Sequence, residues 1–200
     1  MANEPATSWK DKRKEQLRED LITTATRLIR ENGPNAVSVE DIVAATGVAK
    51  GTFYLYFKTK AEIIQAVFGQ CLDDLEKRIS AAISETSSDA SAGLHATLGV
   101  ILLFLQENPG LTAPVMDAAS VPELEEAVLS RCRAATTSAF ERLLRMGMLQ
   151  GRYREIDPRI ASHALQGMLS GLVRLSTDAN LNFVDIGEIA VELFEHGIKR

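Results

Sequence analysis

Apolar residues along this chain recur at intervals of three and four, and sustained period-two alternation is absent, so the pattern predicts helices from end to end. From about Lys10 to Glu31, Leu17, Leu21, Ala25, Leu28 and Ile29 form one stripe, which Asn32-Gly33-Pro34 ends with a C-cap glycine and a proline. Ser38-Val39-Glu40-Asp41 has the form of an N-cap followed by acidic first-turn residues, opening a second helix through Ala45 that stops at Gly47. A short segment from Lys50 to Phe57 follows. Thr59-Lys60-Ala61-Glu62 is a T-x-x-E capping box that starts a long fourth helix. Its stripe of Ile64, Phe68, Cys71, Leu75, Ile79 and Ala82 runs to the polar stretch from Glu85 to Ser91.

Beyond that break the pattern predicts a fifth helix over roughly Ala92 to Gln106 and a short sixth one within a proline-punctuated stretch. Ser120-Val121-Pro122-Glu123 caps a seventh, continuing to about Met148. Asp157-Pro158 supplies the N-cap and first residue of an eighth, and Asn182 or Asp185 opens a ninth. The fold class expected is therefore all-α. The uncharged stretch from Ala90 to Leu105 is short for a membrane span and contains His95 and two glycines, so it is expected to be a core helix with no membrane as partner.

Composition narrows the picture. The hydrophobic share of 46% and charged share of 24% are those of an ordinary globular chain, and 200 residues are enough to bury a core without disulfides. Cys71 and Cys132 lie in apolar contexts without a second Cys or His at ligand spacing, so two free thiols, no metal and no cofactor are expected. The N-terminal run lacks an apolar signal segment, which points to the cytoplasm. No G-x-S-x-G, Walker or zinc-protease pattern appears, and His95, His163 and His196 are far apart, so an enzyme is not expected.

Two short helices joined by a glycine-containing turn form a helix-turn-helix over about residues 38–57, the second helix narrow enough for a DNA major groove. Ile42, Val43, Val48, Phe53 and Phe57 fill its inward positions and leave Lys50, Thr52, Tyr54, Leu55, Tyr56 and Lys60 pointing elsewhere. Tyrosines at a helix end also serve simply to cover a small core. Gly33, Asp41-Ile42-Val43, Gly47-Val48 and the run from Gly51 to Lys60 resemble the DNA-binding region of tetracycline-repressor-type (TetR family) regulators, over roughly Arg13 to Gln70. Residues 71–200 resemble that family in architecture alone.

The resemblance implies that Tyr54, Tyr56, Lys60 and Ser38 meet DNA phosphates, while Lys50, Gly51, Thr52 and Leu55 read bases. Glu40 is either an acceptor for cytosine N4 or a solvated acid favoured by the helix dipole. Ala49 stands where many members have serine, so one capping or phosphate hydrogen bond is expected to be missing. The domains expected are a DNA-binding unit over residues 10–60 and a regulatory, ligand-binding and dimerisation unit over residues 61–200. Double-stranded operator DNA, a second copy of the chain and a small-molecule effector are the expected partners.

The net charge of −5 speaks against nucleic acid until it is divided by position. Residues 1–60 hold 10 basic against 8 acidic residues, and residues 61–200 hold 12 against 19, so the basic excess lies where the motif lies. The eighth helix carries Ile160, Ala164, Met168, Gly171, Leu172 and Leu175 beside a second apolar face of Leu165, Leu169 and Val173. The ninth carries Ile186, Ile189, Ala190, Leu193 and Phe194, and together the two are expected to form an intersubunit bundle. For an apolar or amphipathic effector, the candidate contacts are Phe104, Met116, Phe140, His163 and Gln166. The alternative is an effector-independent DNA-binding or protein-binding dimeric adaptor, and a lined pocket of roughly 300 Å³ or more distinguishes the sensor from it.

Overall fold

The computed structural model describes residues 9–86, 89–111, 126–179 and 183–199. Its named helices, numbered here in chain order, are α1 (Trp9–Asn32), α2 (Val39–Thr46), α3 (Lys50–Phe53), α4 (Lys60–Glu85), α5 (Ala90–Glu107), α6 (Glu126–Leu149), α7 (Pro158–Ala179) and α8 (Phe183–Ile198). The expected short sixth helix beyond residue 111, Met116, the Ser120 to Glu123 cap and Asn182 lie outside the described residues.

Local chemistry explains most boundaries. The α1 stripe buries Leu21, Ile22, Ala25 and Ile29, and Gly33 ends the helix at φ +80°, its N–H donating to the Ile29 carbonyl at 2.8 Å. Ser38 caps α2 in a complete capping box: its hydroxyl accepts from the Asp41 amide at 3.1 Å, and its own amide donates to the Asp41 carboxylate at 2.8 Å. At the start of α4 the box is displaced by one residue. Thr59 accepts from the Glu62 amide, but the Glu62 carboxylate accepts from the Lys58 amide, not from that of Thr59. Asp89 caps α5 through the Ser91 and Ala92 amides, which starts that helix two residues before Ala92.

One continuous apolar core runs through the described residues. Its N-terminal part joins Leu21, Ile22 and Ile29 to Ile42, Phe53, Phe57, Ile63, Ile64 and Val67. The α4 stripe is buried as expected at Ile64, Phe68, Cys71, Leu75 and Ile79; at its end Ile83 is buried and Ala82 is half-exposed. α4 packs on α1 and also on α5 and α6, so its 26 residues, about 39 Å of helix, belong to both ends of the molecule. Arg131 of α6 binds Asp73 and Glu76 of α4 at 2.6 and 2.8 Å, and Arg78 of α4 binds Glu107 of α5 at 2.7 Å.

α5 is an 18-residue helix apolar enough by length and composition to cross a membrane, but half of it is buried inside the molecule. It packs against α4, α6 and α8, which accounts for its carrying no charge before Glu107. The turn after it docks on the other end of the molecule. A Cβ on Gly110 would overlap the Ile29 carbonyl oxygen and lie 3.0 Å from the Gly33 nitrogen, and Leu111 beside it is buried. At the C-terminal end, the Arg154 amide donates to the Ile198 carbonyl, and the Tyr153 hydroxyl donates to the buried Glu195 carboxylate at 2.8 Å.

Candidate functional site

The helix-turn-helix is held from within. Gly47 adopts φ +75° and closes α2 with its amide on the Val43 carbonyl, turning the chain sharply into α3. Phe53 and Phe57 are almost fully buried, and the Arg18 guanidinium lies 5.3 Å above the Phe57 ring. With those anchors inside, the opposite face is left to solvent: Tyr54 is 47% and Leu55 76% exposed, and Lys50 and Gly51 are exposed with them. Thr52 is half-exposed on the same turn.

Four further details bear on the expected contacts. Regular α-helix covers only Lys50–Phe53; the chain then continues to Phe57 in turns whose amides donate to the Thr52 and Phe53 carbonyls. Tyr56 is half-buried and packs against the core, so it is less open than Tyr54. Ala49 offers α3 no side-chain cap, as its side chain requires. The Ser38 hydroxyl is engaged with Asp41, and those hydrogen bonds hold the Asp41 carboxyl below the usual carboxylate range.

Glu40 and Lys50 are joined, the Lys50 ammonium donating to Glu40 Oε1. The pairing lowers the Glu40 pKa and raises that of Lys50, each hydrogen-bonded partner favouring the other's charged form. Glu40 is thus an exposed first-turn acid of α2 that also carries Lys50 as a partner. Lys60 is half-exposed in the first turn of α4, where backbone N–H groups lack intrahelical partners.

A cavity of about 300 Å³ lies between α4, α5, α6 and α7. Leu75, Ile101, Phe104, Leu105 and Leu169 form its apolar wall; Cys132, Arg133, Thr136, His163, Gln166, Gly167 and Ser170 complete it. Thr137 donates to Gln166 Oε1 at 2.8 Å, and Gln166 Nε2 donates to the Thr136 hydroxyl at 3.3 Å, which orients the amide against the α6 wall. Burial pushes the Cys132 thiol up to about 11, so it is a neutral, polarisable part of the lining.

Of the five pocket residues expected from sequence, Phe104, His163 and Gln166 come together here, and Met116 lies outside the described residues. Phe140 is corrected: it is fully buried in the core and takes no part in the lining. Sequence reasoning missed Cys132, Arg133 and Thr136. The signal available was their spacing on one helix face, three and four apart, repeated on α7 by His163, Gln166, Gly167 and Ser170.

The α7 and α8 surfaces separate into two faces. Leu165, Leu169 and Val173 of α7, with Ile186, Ala190 and Val191 of α8, are buried within the subunit. Ile160, Leu175, Ile189 and Leu193 are 72, 51, 52 and 63% exposed, with exposed Ala164 and Gly171 between them. Of the apolar residues expected to pair two subunits, Ile186 and Ala190 are thus already used inside one.

An internally anchored helix-turn-helix with an exposed polar and aromatic edge, carried on an all-α body with a lined cavity, is the form of a DNA-binding transcriptional regulator. Residues 21–67 match the family model for bacterial regulatory proteins of the tetR family. The chain is 30% identical over 156 residues to the nucleoid occlusion factor SlmA of Haemophilus influenzae, covering 73% of this chain and 69% of that one. It is 25% identical over 182 residues to the fatty acid metabolism regulator protein of Bacillus subtilis, covering 89% and 93%. The crystal structure of a transcriptional regulator FadR from Bacillus subtilis in complex with stearoyl-CoA superposes with a TM-score of 0.76 at 24% identity over 90% of this chain and 98% of that one. A transcriptional regulator from Saccharomonospora viridis in complex with choline gives 0.82 at 21% identity over 93% and 99%. The chain belongs to the TetR family of transcriptional regulators.

Proposed function

We propose that the chain works as a homodimeric repressor that leaves a pseudo-palindromic operator when a small amphipathic molecule enters the α4–α7 cavity. The observation that carries this reading is the cavity itself, whose wall includes Leu75 of α4. Its volume of about 300 Å³ reaches the lower end of the range for ligand pockets, roughly 300 to 1,000 Å³. Its apolar wall suits a hydrocarbon or ring body, and Arg133, His163 and Gln166 suit a polar or anionic head. The complexes of FadR with stearoyl-CoA and of the S. viridis regulator with choline support the use of this fold for small-molecule binding.

Residues 10–60 act as the DNA-binding unit and residues 61–200 as the regulatory and dimerising unit, with α4 shared. Tyr54, Tyr56 and Lys60 hold phosphates, Ser38 lies at the edge of that contact, and Lys50, Gly51, Thr52 and Leu55 face base edges. The exposed row on α7 and α8 meets its copy in a second subunit, doubling the phosphate contacts of a weakly basic reader in the cytoplasm. Two recognition helices must sit about 34 to 36 Å apart to enter successive major grooves, so a ligand that displaces α4 changes affinity through that spacing.

Sequences selected from random DNA define the operator, and fluorescence anisotropy then follows its release by stearoyl-CoA, shorter acyl-CoA thioesters and choline. Release by at least one, weakened by Gln166→Ala or Arg133→Ala with the apo affinity unchanged, is the expected result. Operator binding indifferent to every ligand, with no thermal stabilisation by any of them, favours the effector-independent adaptor.

A further inference from the structure

The two helices of the DNA-reading motif are bridged on their outer face by a single ion pair. Glu40 is the second residue of α2 and Lys50 the first of α3, and the Lys50 ammonium donates to Glu40 Oε1. Both side chains remain open to solvent, 63% for Glu40 and 52% for Lys50. A pair this exposed contributes little to folding stability. Its consequence is geometric, because it holds a hydrogen-bond acceptor and a donor side by side on the face that the reading above turns toward DNA.

Neither partner is exhausted by the pairing. An ammonium has three donors and a carboxylate about four acceptor sites. Glu40 uses one oxygen for Lys50, which leaves acceptor capacity. In the major groove guanine presents two acceptors, N7 and O6, and its paired cytosine presents the N4 donor. A donor beside an acceptor matches that edge in one orientation only. Reversed, the carboxylate meets the guanine oxygen and the ammonium meets an amino group. Over an A·T pair in the same register, an ammonium that spans the N7 and O6 positions of guanine meets the adenine N6 amino group, and the carboxylate meets thymine O4.

Resting on the DNA-reading role of α2 and α3, we propose that Glu40 and Lys50 act as one salt-bridged unit. It selects a single G·C pair in each half-site, guanine on the Lys50 side and cytosine on the Glu40 side. Glu40 is thereby a specificity-determining residue. Its negative charge near the phosphates is tolerated because Lys50 neutralises it; without Lys50 the carboxylate repels the duplex.

The test is selection of bound sequences from random DNA by the full-length wild type, by E40A and by the charge-exchanged double variant E40K/K50E, all at fixed salt. Both positions are exposed, and circular dichroism with thermal unfolding checks that each variant keeps the fold. The wild type is expected to yield a motif with one strongly preferred G·C pair per half-site. E40A should lower discrimination at that pair by about 5- to 100-fold and leave the rest of the motif intact. The exchanged variant should select C·G at the same position. A motif in which no G·C pair responds to E40A overturns the proposal, as does a uniform rise in affinity for all sequences or an exchanged variant that keeps the original orientation. A wild type that enriches no motif refutes the DNA-reading role itself, and with it the proposal.

Discussion

Replacing Gly110 by alanine puts one methyl group where the α5 end of the molecule touches α1. The added Cβ would overlap the Ile29 carbonyl oxygen and press on the Gly33 nitrogen, and both are backbone atoms fixed by the hydrogen bond that ends α1. The neighbours cannot rotate away as a side chain does. If the turn stays docked, overpacking of this kind costs about 1 to 3 kcal/mol. If it lifts, Leu111, 2% exposed, loses its burial, which is about 1.5 to 3 kcal/mol for a leucine. By either route Gly110→Ala should destabilise by about 2 kcal/mol, which for a chain of this length lowers Tm by roughly 4 to 8 °C. Thermal and urea unfolding at fixed protomer concentration measure this, and operator anisotropy measures the effect on DNA binding. Because the contact joins the cavity-lining helix α5 to the first helix of the reader, affinity for the operator should change as well. A variant with wild-type Tm and wild-type operator affinity would refute the close approach at Ile29.

Tyr153→Phe keeps the ring that packs on Gly147 and removes only the hydroxyl that Glu195, 2% exposed, accepts at 2.8 Å. The expected loss is about 1.5 to 3 kcal/mol at pH 7, as for a hydrogen bond to a buried charged group. Burial pushes the Glu195 carboxyl up, but hydrogen bonds from Lys199, Ser91 and Tyr153 outweigh it and leave the net shift downward. Its contribution is therefore fully present above the ordinary carboxylate range and lost as pH falls through the lowered value, so the penalty of Tyr153→Phe should shrink as pH falls below the ordinary carboxylate range. In urea titrations, a penalty that does not shrink at any pH below the ordinary carboxylate range contradicts an ionised Glu195. For the DNA face, Lys60→Ala should weaken binding across all sequences and flatten the slope of log affinity against log salt by about two for a dimer. Tyr54→Ala should weaken binding without changing that slope; a changed slope for the tyrosine or an unchanged one for the lysine rejects their assignment to phosphate.

Much of this architecture is legible in the chain because it depends on neighbours three or four residues apart. The Ser38–Asp41 box, the left-handed glycines 33 and 47, the α4 stripe and the inward set of Ile42, Phe53 and Phe57 are all local patterns, and the structure places them where the periodicity does. The same periodicity cannot say which of two apolar faces is used. On α7 it marks Leu165, Leu169, Ile160 and Leu175 alike, and only packing separates the buried pair from the exposed one. Nor can it rank aromatic residues, so Phe104 and Phe140 look equivalent until four helices are assembled and one borders the cavity while the other fills the core.

Among the described residues, the sequence by itself determined the long helices, the Ser38 cap, the glycine stops at Gly33 and Gly47 and the reading motif, since hydrogen bonds and hydrophobic periodicity within one helix need no partner. Tertiary structure decided the rest: the Glu40–Lys50 bridge across ten residues, the Thr137–Gln166 contact across the cavity wall, and the buried carboxylate of Glu195, which Ser91 and Tyr153 reach from two other segments while Lys199 pairs with it one turn along. A charge or an amide takes its chemistry from what lies against it. In this molecule most of those neighbours belong to a different element, brought alongside only when the apolar stripes have packed.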